Sequence, residues 1–230
     1  MRNDTKLLFY VRTLKPEAAV ELTPYYSEII KYLQKDELHS LTDLQQYLSH
    51  LIDHHFIKFH GLMIKCMYES FQINDLNNVW KLNKYLCQSL NENDPSTFHL
   101  RKILLTLSKK LYPWLDFSFF KVEADDNSRL SLAATHTFIA TKLGMNADES
   151  VKDYLRTLVF LLINEAKQNM KLNKSDIQAM MSNFFSIIQI EWEQLKILRG
   201  NDIYTTQKPQ VYFPVNPLTS DSNQFISGNE

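Results

Sequence analysis

Residues 41–66 read LTDLQQYLSHLIDHHFIKFHGLMIKC. From Leu44, apolar side chains recur at Leu48, Leu51, Phe59, Leu62 and Cys66, with His55 on the same line. Steps of three and four residues put these positions on one face of a long helix. Thr42 with Gln45 three residues on has the spacing of a capping box and predicts the helix start. Gly61, inside the run, predicts a bend or a close helix contact.

The same period continues outward. Asp75 predicts the start of a helix carrying Leu76, Val79, Leu82, Leu86 and Leu90, broken by the polar run 91–93. Asp94-Pro95 pairs an N-cap with a proline at the first helical position and predicts a helix to about Tyr112, before Pro113. Residues 114–127 are less regular. Residues 128–143 read as helix, with Gly144 as its stop, and Asn146 with Glu149 opens the next. There Val151, Leu155, Leu158, Leu162 and Ala166 are joined by Val159, Phe160, Leu161 and Ile163. A helix apolar nearly all round is central in the core or lies at a subunit interface. Ser175 with Gln178 predicts the last long helix, striped by Ile177, Met181, Phe184, Ile188, Trp192 and Leu195 and ended by Gly200. Residues 201–230 lose the helical period but keep apolar spots at Val211, Tyr212, Phe213, Phe225 and Ile226. Such a tail is expected to be disordered alone and to order on a partner. The expectation is an all-α multi-helix bundle over residues 1–200 with a flexible, partner-binding C-terminal tail over 201–230.

Composition agrees. Of 230 residues 44% are hydrophobic and 22% charged, enough to bury a core and too apolar for a mainly disordered chain. Only four residues are glycine, which argues against a glycine-rich phosphate loop and against a fold of many tight β-hairpins. A net charge of -1 gives no field favouring nucleic acid or anionic lipid. Cys66 and Cys87 form neither a CxxC nor a disulfide framework and read as reduced core thiols. Leu7–Val11 is too short for a signal peptide's apolar region, and Leu158–Ile163 is too short to cross a bilayer. A soluble, cytoplasmic chain with no membrane or nucleic-acid partner is expected.

The densest chemistry is His50, Asp53, His54, His55 and His60. His50 and His54, four apart, share a helical face and could bind one metal. A metal enzyme would need a third ligand and a general base, and no HExxH or ExxH pattern supplies them. Ordinary surface and core histidines are the plainer reading, and His55 falls on the apolar stripe. No nucleophile elbow or nucleotide-binding loop occurs. Arg101 with Lys109 and Lys110 reads as a basic helix face, either solvated or touching an acidic partner. Trp80, Trp114 and Trp192 lie at or near helical stripes and read as core. The residues alone indicate a binding module with no catalytic residues, metal or cofactor.

The order of segments resembles a known family. YYSEIIKYLQKDELHSLTDLQQYLSHLI, residues 25–52, resembles the stretch that follows the glycine-rich N-terminal motif of the urease accessory protein F (UreF) family, with Tyr32, Leu33 and Gln34 at the end of its Gly-Leu-Glu-x-x-x-Gln segment. FHGLMIKCMYES, 59–70, is similar to the family's Asp-Gly helix, with His60 at the aspartate and Gly61 kept. FHLRKILLTLSKKL, 98–111, matches Arg101 and Lys110 to two family arginines. THTFIATKLGMNADESVKDYLRTLV, 135–159, keeps Leu143, Gly144, Tyr154 and Leu155, while Arg156 replaces a tyrosine. QNMKLNKSDIQ, 168–178, keeps Leu172 and Gln178. PLTSDSNQFIS, 217–227, keeps Phe225.

The resemblance implies a non-catalytic scaffold that bridges the D/H accessory protein and the G-type GTPase and docks on apo-urease for nickel insertion. It implies a homodimer whose contact maps onto Lys152, Tyr154, Leu155 and Arg156. It implies partner contacts at Tyr32, Gln34, Arg101, Lys110, Phe225 and Ile226. Another helical maturation chaperone, of the molybdoenzyme type, is the nearest alternative. A metal-dependent helical enzyme using His50, His54 and His60 is a more distant one.

Overall fold

The computed structural model describes residues 40–89, 99–122 and 130–197. These residues form an all-α bundle, with no strand among them. Tyr32, Gln34, Phe225, Ile226, the Asp94-Pro95 cap and the whole expected tail lie outside the described residues.

Helix α1, Leu41–Leu51, runs without a break into a π-helical segment, Ile52–Gly61, and on into α2, Leu62–Gln72. The start lies two residues before the expected cap. Ser40 accepts from the backbone N–H of Asp43, and the Asp43 carboxylate accepts from that of Ser40, closing a capping box there rather than at Thr42. Asn74, in the left-handed region, turns the chain into α3, Leu76–Ser89, where Asp75 accepts from the N–H of Asn78 as expected.

Helix α4, His99–Leu111, is followed by a 3₁₀ turn, Ser118–Val122. This turn wedges aromatic rings against α5, Leu132–Lys142. Phe119 stacks on Phe138 at 5.7 Å, and Phe120 meets the same ring edge-on at 4.9 Å. Helix α5 begins at Ser131, whose hydroxyl accepts from the N–H of Ala134. It stops at Gly144 (φ 72°), where the N–H of Met145 donates to the Ala140 carbonyl at 3.0 Å. Helix α6, Ala147–Met170, has the expected Asn146–Glu149 capping box. Helix α7, Lys174–Leu195, is capped by Asn173 rather than Ser175 and ends at Leu195, short of Gly200.

Helix α6 decides the packing. It lies against α2, the π segment, α5 and α7. Val151, Tyr154, Leu155, Leu158, Val159, Leu161, Leu162, Ile163 and Ala166 are all buried. Each fully buried aliphatic side chain is worth about 1.5–3 kcal/mol, so this helix anchors the core. Of the two roles open to an all-round apolar helix, it takes the central one. Two of the four residues expected at a dimer contact, Tyr154 and Leu155, therefore lie inside this chain's own core. Tyr154 and Leu155 are 2% and 0% exposed, closed off by this chain's own helices. Lys152 turns to Glu193 of α7 at 4.0 Å, and the Arg156 guanidinium lies over the Phe185 ring at 5.5 Å. All four residues thus make contacts with this chain's own helices.

Gly61 makes the close contact the sequence predicted. A Cβ there would stand 3.2 Å from the Trp192 ring and 3.4 Å from Val151, so its absence lets α7 approach the long helix. The Trp192 indole N–H donates to Asp148 at 3.3 Å, and Lys196 joins the same carboxylate at 3.2 Å, pinning the end of α7 to the start of α6. Trp192 is core, as expected, and Trp80 is half-buried against Phe119. Trp114 is not core: it is 68% exposed and touches Tyr112 edge-on.

Candidate functional site

The π segment IDHHFIKFHG carries three of the chain's histidines and ends the stretch begun at His50. A π-helix bonds residue i to i+5, so residues five apart come into line where an ordinary helix would turn them away. His50, His55 and His60 have that spacing. The His50 ring lies 4.4 Å from that of His54 and 6.4 Å from that of His55. The file runs inward: the His54 side chain is half exposed, while His55 and His60 are 4% and 2% exposed.

At the outer end Asp53 faces His54 Nε2 at 3.5 Å and Lys58 at 3.3 Å. At the inner end His60 sits in an aromatic box. Phe56 and Phe59 present edges to it at 5.7 Å each, and Tyr154 stacks on it at 6.1 Å. Behind Tyr154 lies His136, with ring centres 5.4 Å apart. His136 Nε2 is 3.0 Å from the Ser150 carbonyl.

The polar atoms in this box are poorly satisfied. Among the described residues, neither ring nitrogen of His60 has a hydrogen-bond partner, nor does His55 Nδ1. The Thr135 and Ser150 hydroxyls are in the same position. Each buried, unpaired polar atom costs about 1–3 kcal/mol. A π-helix is itself rare and recurs at functional sites. The coincidence of the two in one ten-residue segment marks the region as the candidate site.

Burial keeps these rings neutral. Desolvation first, and then the neighbouring His50 and His54, lower the pKa of His55 to about 4. Desolvation, reinforced by His55, lowers that of His60 to about 3. Both are therefore poor proton acceptors at neutral pH, ill-suited to general-base work. What they offer is a neutral nitrogen lone pair. The other nucleophile type fares no better: burial raises the Cys66 thiol to about 11, which leaves it an inert core thiol.

The structure separates several residues that the sequence grouped. His60 lies ten positions along the helix from His50, deep in the core, so His50, His54 and His60 do not converge on one ion. No group of three or more His, Cys, Asp or Glu among the described residues is arranged to hold a metal. Arg101 and Lys110 are nine residues apart, about 180° around an α-helix. Arg101 is half-buried and Lys110 exposed on the opposite side, so they do not form one basic face. Lys102, Thr106, Lys109 and Lys110 make up the exposed side of α4. His136 and Ser150 belong to the box but carried no sequence signal, because ATHTFIA around His136 is buried on every side and shows no stripe.

No protein-family model matches the chain. Fold and site define an all-α protein with a buried histidine–aromatic box. No described helix is long and apolar enough to cross a membrane.

Proposed function

We propose that the chain is a urease maturation scaffold of the UreF type. It bridges the D/H accessory protein and the G-type GTPase while nickel is inserted into apo-urease. Its contribution is assembly: apolar surface buried between partners holds them in register, and nucleotide turnover on the GTPase supplies the switch.

One observation carries the reading. Of the residues that resemble the family and lie in the described chain, four are ones on which the helical frame depends: Gly61 at the contact with Trp192, Gly144 at the left-handed stop, and Tyr154 with Leu155 at the centre. A chain that keeps a family's frame while varying its surface fits a scaffold whose partners differ. The exposed large apolar side chains, Ile73, Trp114, Ile190 and Ile197, are candidate points of grip. Self-association, if it belongs to the assembly, uses such outward residues and leaves Tyr154 and Leu155 inside.

Co-expression with the D/H protein and the GTPase tests this. A single co-eluting complex, lost when Ile190 and Ile197 are both changed to Glu, is the expected outcome. Separate elution of the three wild-type proteins contradicts it.

A further inference from the structure

We infer that His50 and His54 form a two-imidazole site for a borderline divalent transition-metal cation at the outer end of the histidine file. Two imidazoles meeting one ion through nitrogens at ~2.0–2.1 Å, near a right angle, have ring centres ~4.5–5 Å apart. The observed separation is 4.4 Å, with the planes tilted by 50°. The His54 side chain is half exposed, so the ion has access from solvent.

Two further features favour a cation. The Asp53 carboxylate is 3.5 Å from His54 Nε2, the kind of neighbour that orients a ligating imidazole and strengthens its other nitrogen. Behind the pair stands His55, whose Nδ1 is buried without a hydrogen-bond partner. Its ring centre lies 6.4 Å from that of His50, which places a third imidazole beside the pair. Soft or borderline ions suit imidazole; magnesium and calcium prefer oxygen. With two protein ligands, water fills the remaining positions. The site is open and weak, suited to transient holding rather than to structural metal.

Lys58 opposes the ion. Its ammonium lies 3.3 Å from Asp53 and neutralises the carboxylate. Removing that charge should tighten binding, an effect that an imidazole contact elsewhere on the chain would not show.

This site goes beyond the scaffold reading, which requires no metal on this chain. Complex formation with the accessory proteins and metal binding by the isolated chain are separate readouts, so either can fail alone. The test is calorimetric titration of the metal-stripped full chain with zinc chloride and with nickel chloride at neutral pH. One equivalent should bind with roughly micromolar affinity. His50→Ala and His54→Ala should each weaken it about ten-fold or more, Lys58→Gln should tighten it a few-fold, and His60→Leu should leave it unchanged. In wild-type protein, zinc should shift the imidazole NMR resonances of His50 and His54 and not that of His136. Absence of binding, or equal binding by wild type and the His50→Ala/His54→Ala double variant, overturns the inference.

Discussion

Helix α6 and the π segment are both buried, and they are buried on different terms. Helix α6 puts Leu155, Leu158, Leu161, Leu162 and Ile163 into contact with four neighbouring elements. The Thr157 hydroxyl donates to the Asp153 carbonyl and Lys152 reaches Glu193, while the Ser150 hydroxyl and Arg156 Nε lack a partner among the described residues. The π segment buries His55 and His60 with three ring nitrogens unpaired, in a helical form wider than the backbone prefers. Both regions add apolar burial, with Ile52, Phe56, Ile57 and Phe59 in the π segment, but that segment also carries the cost of its unpaired ring nitrogens. A costly arrangement held in place by a strong one is the pattern expected where a segment is kept for what it does.

The sharpest way to break the contrast is a charge in α6. Leu155→Asp would bury an unpaired carboxylate at a site with 0% exposure and should abolish cooperative folding, seen as loss of the thermal transition in circular dichroism. A folded, merely dissociated protein would instead return Leu155 to a subunit interface.

The next largest effect is acid sensitivity from the histidine file. His55 and His60 have folded pKa values of about 4 and about 3, against ~6.5 for an unfolded histidine. Below ~6.5 the unfolded chain takes up protons that the folded chain refuses, so stability is full above that pH. It should fall by several kcal/mol as pH drops through the window down to about 3–4. Urea midpoints measured across that range should decline, and the decline should flatten in a His55→Gln/His60→Leu variant. Equal slopes for variant and wild type would show that other groups carry the acid response.

Gly61→Val tests the contact between the regions. The added side chain meets the Trp192 ring, and overpacking of this kind costs about 1–3 kcal/mol, readable as a lower urea midpoint at unchanged slope.

His60→Leu should act in the opposite sense. It removes two unpaired ring nitrogens from an aromatic box and should raise stability at neutral pH by about 1–2 kcal/mol. A loss of that size would mean that His60 makes a stabilising contact. The smallest effect belongs to the α6–α7 ion pair: Lys152→Gln should change stability by less than about 1 kcal/mol, and even less at high salt.

The contrast also explains what could be read in advance. The helical period, the Asn146–Glu149 box and the Gly144 stop are local facts, and the structure repeats them; Gly61 marked the place of a close contact but not its distant partner Trp192. The start of α1 at Ser40 instead of Thr42 is a contest between adjacent capping sequences, won by the reciprocal Ser40–Asp43 bonds. The fate of α6 was undecided because an all-round apolar helix meets the same requirement in a core or between subunits, and only the tertiary neighbours choose. Likewise the histidine spacing showed a shared face for His50 and His54. His55 lies inside where the apolar stripe put it, but the inward turn of His60 depends on the π form, and the box around His60 needs Tyr154 from a helix nearly a hundred residues further on. Arg101 and Lys110 looked like a pair in the sequence because charge runs are read linearly, whereas a helix sets them on opposite sides.

The scaffold reading is tested most directly in cells. Urease activity should be lost on deletion of this gene in its native host, with apo-urease still present and nickel supplied, and restored by the intact chain. Full urease activity in the deletion strain would contradict the account.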